Sequence, residues 1–170
     1  IARFKNMYKM KGLYNLMEAV RHLPHVTLKV IGEPIPTNVR NVVFLGTKPI
    51  RETVIEMQKC TLIILPSLAH YESFGMVLIE AMACKKPVIG TIIGGIPEVI
   101  RDGVDGILVP HGDIPALTAA IERIVNHTEF ARMLAENGFG KVTTQYVWQK
   151  KAEETNKLLD GSLQSKIYAN

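Results

Sequence analysis

The stretch that decides the fold runs from residue 61 to residue 98, TLIILPSLAHYESFGMVLIEAMACKKPVIGTIIGGIPE. Residues 61–65 and 87–93 are near-continuous apolar runs of strand length, each followed by a segment rich in turn-forming residues. Between them, residues 73–84 read as a helix. Strands that are apolar throughout and alternate with helices belong to a parallel sheet covered on both faces. The flanking sequence continues the alternation. Upstream, Leu13, Leu16, Met17 and Val20 recur at helical spacing within residues 12–21, followed by strands over 25–31 and 42–45 and a helix over 51–60. Downstream come a short helix over 97–101, a strand over 106–109, and a helix over 115–126 with Pro115 in its first turn. Two further helices, 128–138 and 146–159, are rich in Lys, Glu, Ala and Leu. The expected fold class is α/β, a doubly wound parallel sheet with helices on both faces, in one domain over residues 1–160. A frayed tail is expected over 161–170.

Composition agrees with one globular domain. The 170 residues are 47% hydrophobic and 21% charged, with a mean hydropathy of +0.12, which excludes disorder as the main state. The longest run without a formal charge, Cys60 to Tyr71, is far short of the ~18 apolar residues of a spanning helix. The first residue is Ile1, and the chain reads as a piece of a longer polypeptide whose N-terminal context is missing. Charge is divided: residues 1–60 carry a net +6 and residues 61–170 a net −2. A basic front of this size suits a small phosphate-bearing partner better than a nucleic-acid groove, although a solvated surface explains it equally well. Cys60 and Cys84 lack metal-ligand spacing and read as reduced core thiols of a cytoplasmic protein.

In an open parallel sheet, ligands sit beyond the carboxyl ends of the strands. Three places there hold chemistry. In Glu72-Ser73-Phe74-Gly75, Ser73 is placed to cap a helix, and Gly75, at its second position, leaves the amides of Phe74, Gly75, Met76 and Val77 open to a phosphate. If residues 72–80 were all helical, Glu72 and Glu80 would lie about 12 Å apart along the axis and about 80° apart around it. That spacing suits hydroxyl groups at two ends of an extended ligand better than the paired carboxyls of a glycosidase. The alternative is that Glu72 only complements the helix N-terminus and Glu80 only faces solvent. Gly94-Gly95-Ile96-Pro97-Glu98 permits close backbone approach, either to a ligand or to the chain itself. Arg3 and Lys11, the latter next to Gly12, are two cations that can meet above the same strand ends, or simply surface charges. His70, near Glu72, is either a site residue or an ordinary loop histidine. No dinucleotide fingerprint, Walker A loop, nucleophile elbow or metal-ligand cluster is present in the sequence.

Taken in order, Arg3, Lys11-Gly12, Phe44-Leu45-Gly46, Glu72-Ser73-Phe74-Gly75 with Glu80-Ala81, Gly94-Gly95-Ile96-Pro97-Glu98 and Asp102-Gly103 followed by Gly106-Ile107-Leu108-Val109-Pro110 resemble the C-terminal domain of group 1 glycosyltransferases, family four. The resemblance covers about residues 1–155. It implies one Rossmann-like half of a GT-B enzyme that transfers sugar from a nucleoside-diphosphate sugar, with retention and without a metal or other cofactor. It further implies that Arg3 and Lys11 neutralise the donor diphosphate, with Lys9 as the alternative to Lys11. Glu72 and the amides of Phe74, Gly75 and Met76 would hold the donor sugar and its phosphate, beside Ser73, which stands where the family commonly has Gly. Val77 would pack by the ribose, Glu80 would bind its hydroxyls, and Thr47 and Lys48 would lie by the base. The acceptor site would be on the missing N-terminal domain, through which the protein would reach the inner membrane face, and this chain alone would not turn over. A non-catalytic nucleotide-sugar module and a purely structural α/β domain are the competing readings.

Overall fold

The structure is a computed structural model that describes residues 10–70 and 72–146. In chain order the elements are α1 (Leu13–Arg21), β1 (Leu28–Val30), β2 (Val42–Phe44), α2 (Ile50–Lys59), β3 (Ile63–Leu65), α3 (Met76–Ala83), β4 (Val88–Thr91), α4 (Ile96–Val99), β5 (Ile107–Val109), α5 (Ile114–Asn126) and α6 (Thr128–Gln145). Every element expected within the described residues is present, with the strands shorter than their apolar runs. The helix expected over 146–159 and the tail over 161–170 fall outside the described residues. So do Arg3 and Lys9.

All strand pairs are parallel: β1 with β2, and β3, β4 and β5 side by side in that order. Consecutive residues of a strand point to opposite faces, and each face carries its own core. Ile64, Ile89, Ile107 and Val109 pack with α1 and α5 on one side. Ile63, Leu65, Val88 and Leu108 pack with α3, α4 and the end of α6 on the other. This is the doubly wound arrangement, and it leaves β4 buried along its whole length. β1 and β3 flank a cavity of about 390 Å³ lined by Leu28, Val30, Ile63 and Leu65.

Helix ends follow local chemistry. Asp113 caps α5 by accepting from the Ala116 amide at 2.8 Å, and Pro115 sits in the first turn, where no amide partner is needed. α6 runs through Gly138, where the sequence suggested a stop. A side chain there would come within 3.0 Å of Met82 Cγ and 3.3 Å of the Asp105 carbonyl oxygen, so this glycine admits a close helix crossing and ends nothing.

Two polar anchors hold the connections. The Asn41 amide donates to the carbonyls of Val20, Leu23 and Val26 at 2.8, 3.0 and 2.8 Å, tying the entry of β2 to the turn after α1. Asn41→Ala is expected to cost about 1–3 kcal/mol by leaving these carbonyls short of a donor, and chemical denaturation reads it as a lowered midpoint with an unchanged slope. The second anchor is Asp105, wholly buried. It accepts from the Arg101 backbone amide at 2.7 Å and from its Nε at 2.8 Å, and lies 3.3 Å from Lys141 Nζ. Lys141, also buried, donates to the Val99 carbonyl at 2.5 Å.

Candidate functional site

Because β3, β4 and β5 are parallel, the loops after them all leave at one end of their three-stranded sheet, while β1 and β2 form a separate parallel pair. The loop after β3 carries Glu72 to that end and turns into α3 at Gly75. With φ 64° and ψ 49°, Gly75 is itself the N-cap residue, in the left-handed region that a side chain disfavours. Two expectations are corrected here. Ser73 does not cap the helix, since no side chain caps α3, and Ser73 is exposed two residues before the cap. Glu72 is in the loop, not on the helix, so the helical arithmetic does not describe its distance from Glu80.

The loop is held from outside by the glycine pair after β4. The Gly95 amide donates to the Glu72 carbonyl at 2.9 Å, while the Glu72 amide donates to the Ala69 carbonyl at 3.0 Å. A Cβ on Gly94 would lie 2.1 Å from the Glu72 carbonyl oxygen, and one on Gly95 would lie 2.0 Å from that of Ser73. Of the two readings left open for this turn, close approach to the chain itself is the one the structure displays. Lys11 is placed in a similar way. The Leu68 amide donates to the Met10 carbonyl at 2.7 Å, and Gly12 lies against the Pro66 carbonyl so closely that a Cβ would fall 1.8 Å from its oxygen.

These supports bring two of the sequence candidates together: the Lys11 ammonium donates to the Glu72 carboxylate as an ion pair. Glu72 is only 9% exposed, and the Lys11 side chain is 27% exposed. Beside the pair begins α3. The Leu78 amide donates to the Gly75 carbonyl at 2.8 Å, whereas among the described residues no backbone carbonyl accepts from the amides of Phe74, Gly75, Met76 or Val77. These four donors and the helix N-terminus form an electropositive seat next to a carboxylate. One turn further along α3 is the half-buried Glu80, whose carboxylate has no hydrogen-bond or ion-pair partner among the described residues.

The other candidates are less closely gathered. Val77 packs into the α3 core and Met76 is 59% exposed. Phe74 meets Tyr146 edge-on, with ring centroids 5.8 Å apart. Thr47 and Lys48 follow β2, and the half-buried Lys48, just before α2, is engaged with the exposed Glu52 of that helix at 3.1 Å. His70 is exposed and meets His111, from the loop after β5, with centroids 5.9 Å apart. No role for His111 was legible in the sequence, since nothing in its spacing links it to His70. Cys60 and Cys84 are free thiols at the ends of α2 and α3, but neither is fully buried, which corrects their reading as core residues. Partial burial pushes both thiols above the ordinary cysteine range. Among the described residues, no group of three or more His, Cys, Asp or Glu side chains is arranged to hold a metal ion. No helix among them is long and apolar enough to cross a membrane.

Comparison with known proteins agrees with this architecture. An uncharacterized glycosyltransferase of Methanocaldococcus jannaschii is 32% identical over 150 residues, covering 82% of this chain and 42% of the relative. Sucrose-phosphate synthase from Thermosynechococcus elongatus superposes with a TM-score of 0.78 at 28% identity, covering 92% of this chain and 43% of the synthase. The C-terminal domain of a glycosyl transferase group 1 family protein, LpcC, from Francisella tularensis superposes with a TM-score of 0.74 at 25% identity, covering 87% of this chain and 84% of that domain. This chain thus spans less than half the length of the first two proteins and corresponds to one Rossmann-like half of a GT-B architecture. The sequence profile of the glycosyl transferases group 1 family matches residues 1–127, and the chain belongs to that family.

Proposed function

We propose that this chain is the donor-binding domain of a retaining glycosyltransferase, which moves a hexosyl group from a nucleoside-diphosphate sugar to an acceptor hydroxyl. The observation that carries this reading is the meeting of Lys11, Glu72 and the amides of residues 74–77 at the carboxyl end of the sheet. The amides and Lys11 take the diphosphate, joined by Arg3. Glu72 accepts hydrogen bonds from the donor sugar, Glu80 from the ribose hydroxyls, and Val77 packs by the ribose. As the bond to the sugar breaks, charge grows on the departing diphosphate, and fixed cations and amides stabilise it without further reorganisation. That role is filled by the chain's own groups, so the reading assigns no metal and no cofactor. The acceptor is bound by an N-terminal partner domain, so this chain alone binds donor without turnover. The setting is the cytoplasm, at the inner membrane face through that partner domain.

The test is a thermal-shift series on the 170-residue chain with millimolar UDP, GDP and ADP and their sugar conjugates. A ligand at 100 times its Kd contributes about 2.7 kcal/mol, or roughly 5–10 °C for a domain of this size. A shift confined to one base supports the reading and names the donor class; no shift with any nucleotide overturns it. For the nucleotide that binds, Glu80→Ala is expected to weaken affinity by about 1–3 kcal/mol through lost ribose hydrogen bonds. Affinity for inorganic pyrophosphate is expected to stay unchanged. Equal nucleotide affinity in the variant removes Glu80 from the site.

A further inference from the structure

We propose that Glu72 is a latch on Lys11, through which the site senses whether a diphosphate carries a sugar. The latch rests on the donor-site reading and concerns how the same site separates its substrate from its product. The ammonium that would meet a diphosphate is paired with the Glu72 carboxylate.

The two partners differ in mobility. Glu72 is fixed through both its backbone groups, by Ala69 and by Gly95, and its side chain is nine-tenths covered. Among the described residues, Lys11 is anchored through its backbone neighbours Met10 and Gly12, while its ammonium ends a flexible stem that is 27% exposed. An anion arriving on the amides of residues 74–77 therefore draws Lys11 away from Glu72, and Glu72 cannot follow. A covered carboxylate then loses its counter-ion, which is costly unless new donors replace it. A fully ionised diphosphate is all acceptor and supplies none. The hydroxyls of an attached sugar are donors, and they satisfy Glu72 while Lys11 turns to the phosphates. A nucleotide sugar thus satisfies both partners, whereas the sugar-free product satisfies one, and the product leaves as the pair re-forms.

A latch of this kind inverts the usual sign of a site mutation. Glu72→Gln, which keeps the side chain's size, should free Lys11 and tighten inorganic pyrophosphate and UDP by about 3- to 10-fold, while weakening UDP-glucose. Isothermal titration of the 170-residue chain with these three probes reads the effect, GDP or ADP and the matching sugar conjugate replacing the uridine pair if the thermal series selects another base. Glu80→Gln removes a carboxylate from the same region without touching Lys11, and should leave pyrophosphate affinity unchanged. A Glu72→Gln chain that binds pyrophosphate no more tightly than the wild type overturns the latch. So does equal tightening by both substitutions, which would reflect charge removal alone. Pyrophosphate carries neither base nor sugar, so its response tests the latch separately from nucleotide recognition. Tightened pyrophosphate in a chain that binds no nucleotide would uphold the latch and overturn the donor-site reading.

Discussion

Gly94→Ala is expected to lower the melting temperature by about 6–12 °C and to abolish measurable nucleotide binding, the loss corresponding to about 3 kcal/mol or more. Two costs combine at this position. The residue has φ +54°, where an L side chain is strained, and the new methyl group would sit 2.1 Å from the Glu72 carbonyl oxygen. Relief requires moving either the turn after β4 or the Glu72 loop, and the loop is the piece held by single hydrogen bonds. Gly103→Ala is the matched control. Its φ is +70°, but nothing lies within 4 Å of the added methyl, so the cost there is the backbone term alone, about 1–2 kcal/mol. If both variants lose the same stability and both still bind nucleotide, the glycine turn does not support Glu72.

Asp105→Ala should destabilise the fold by about 3–5 kcal/mol, the ordinary consequence of removing one partner from a buried ion pair. The loss leaves Lys141 charged and nearly covered, donating to the Val99 carbonyl with no carboxylate beside it, and deprives the Arg101 amide of its acceptor. Adding Lys141→Met should restore part of the stability, because the stranded charge disappears while the unpaired amide remains. Urea denaturation of the single and double variants separates the two contributions. A single variant within about 0.5 kcal/mol of the wild type would show that the network adds nothing to stability.

The order of elements could be read from the sequence because each strand is an apolar run and each helix a periodic one, patterns that survive whatever the chain packs against. The start of α3 could not be read the same way. Ser73 has the chemistry of a cap, but its carbonyl lies against Gly95, and helical turning begins only after Gly75 takes a left-handed conformation. The break expected at Gly138 failed for a related reason: the glycine answers to Met82, which is 56 positions earlier in the sequence. Glu72 and Lys11 were both legible as candidates from residue type and place. Their direct pairing was not, since it depends on the packing of Gly12 on Pro66 and of the glycine turn on the Glu72 loop. Asp105 and Lys141 stood out by neither motif nor periodicity, and only burial reveals what they do.

Strand β4 gives its odd and even residues to different cores, Ile89 to one and Val88 to the other. A one-residue slip of this strand would exchange both sets at once and place each side chain in a cavity shaped for the other. Neither core can therefore melt while the other keeps its shape, because they share a wall. The layers on the two sides of the sheet share β4 as a common wall, and a disturbance of one core acts on the other, and on the loops at the strand ends, through this strand.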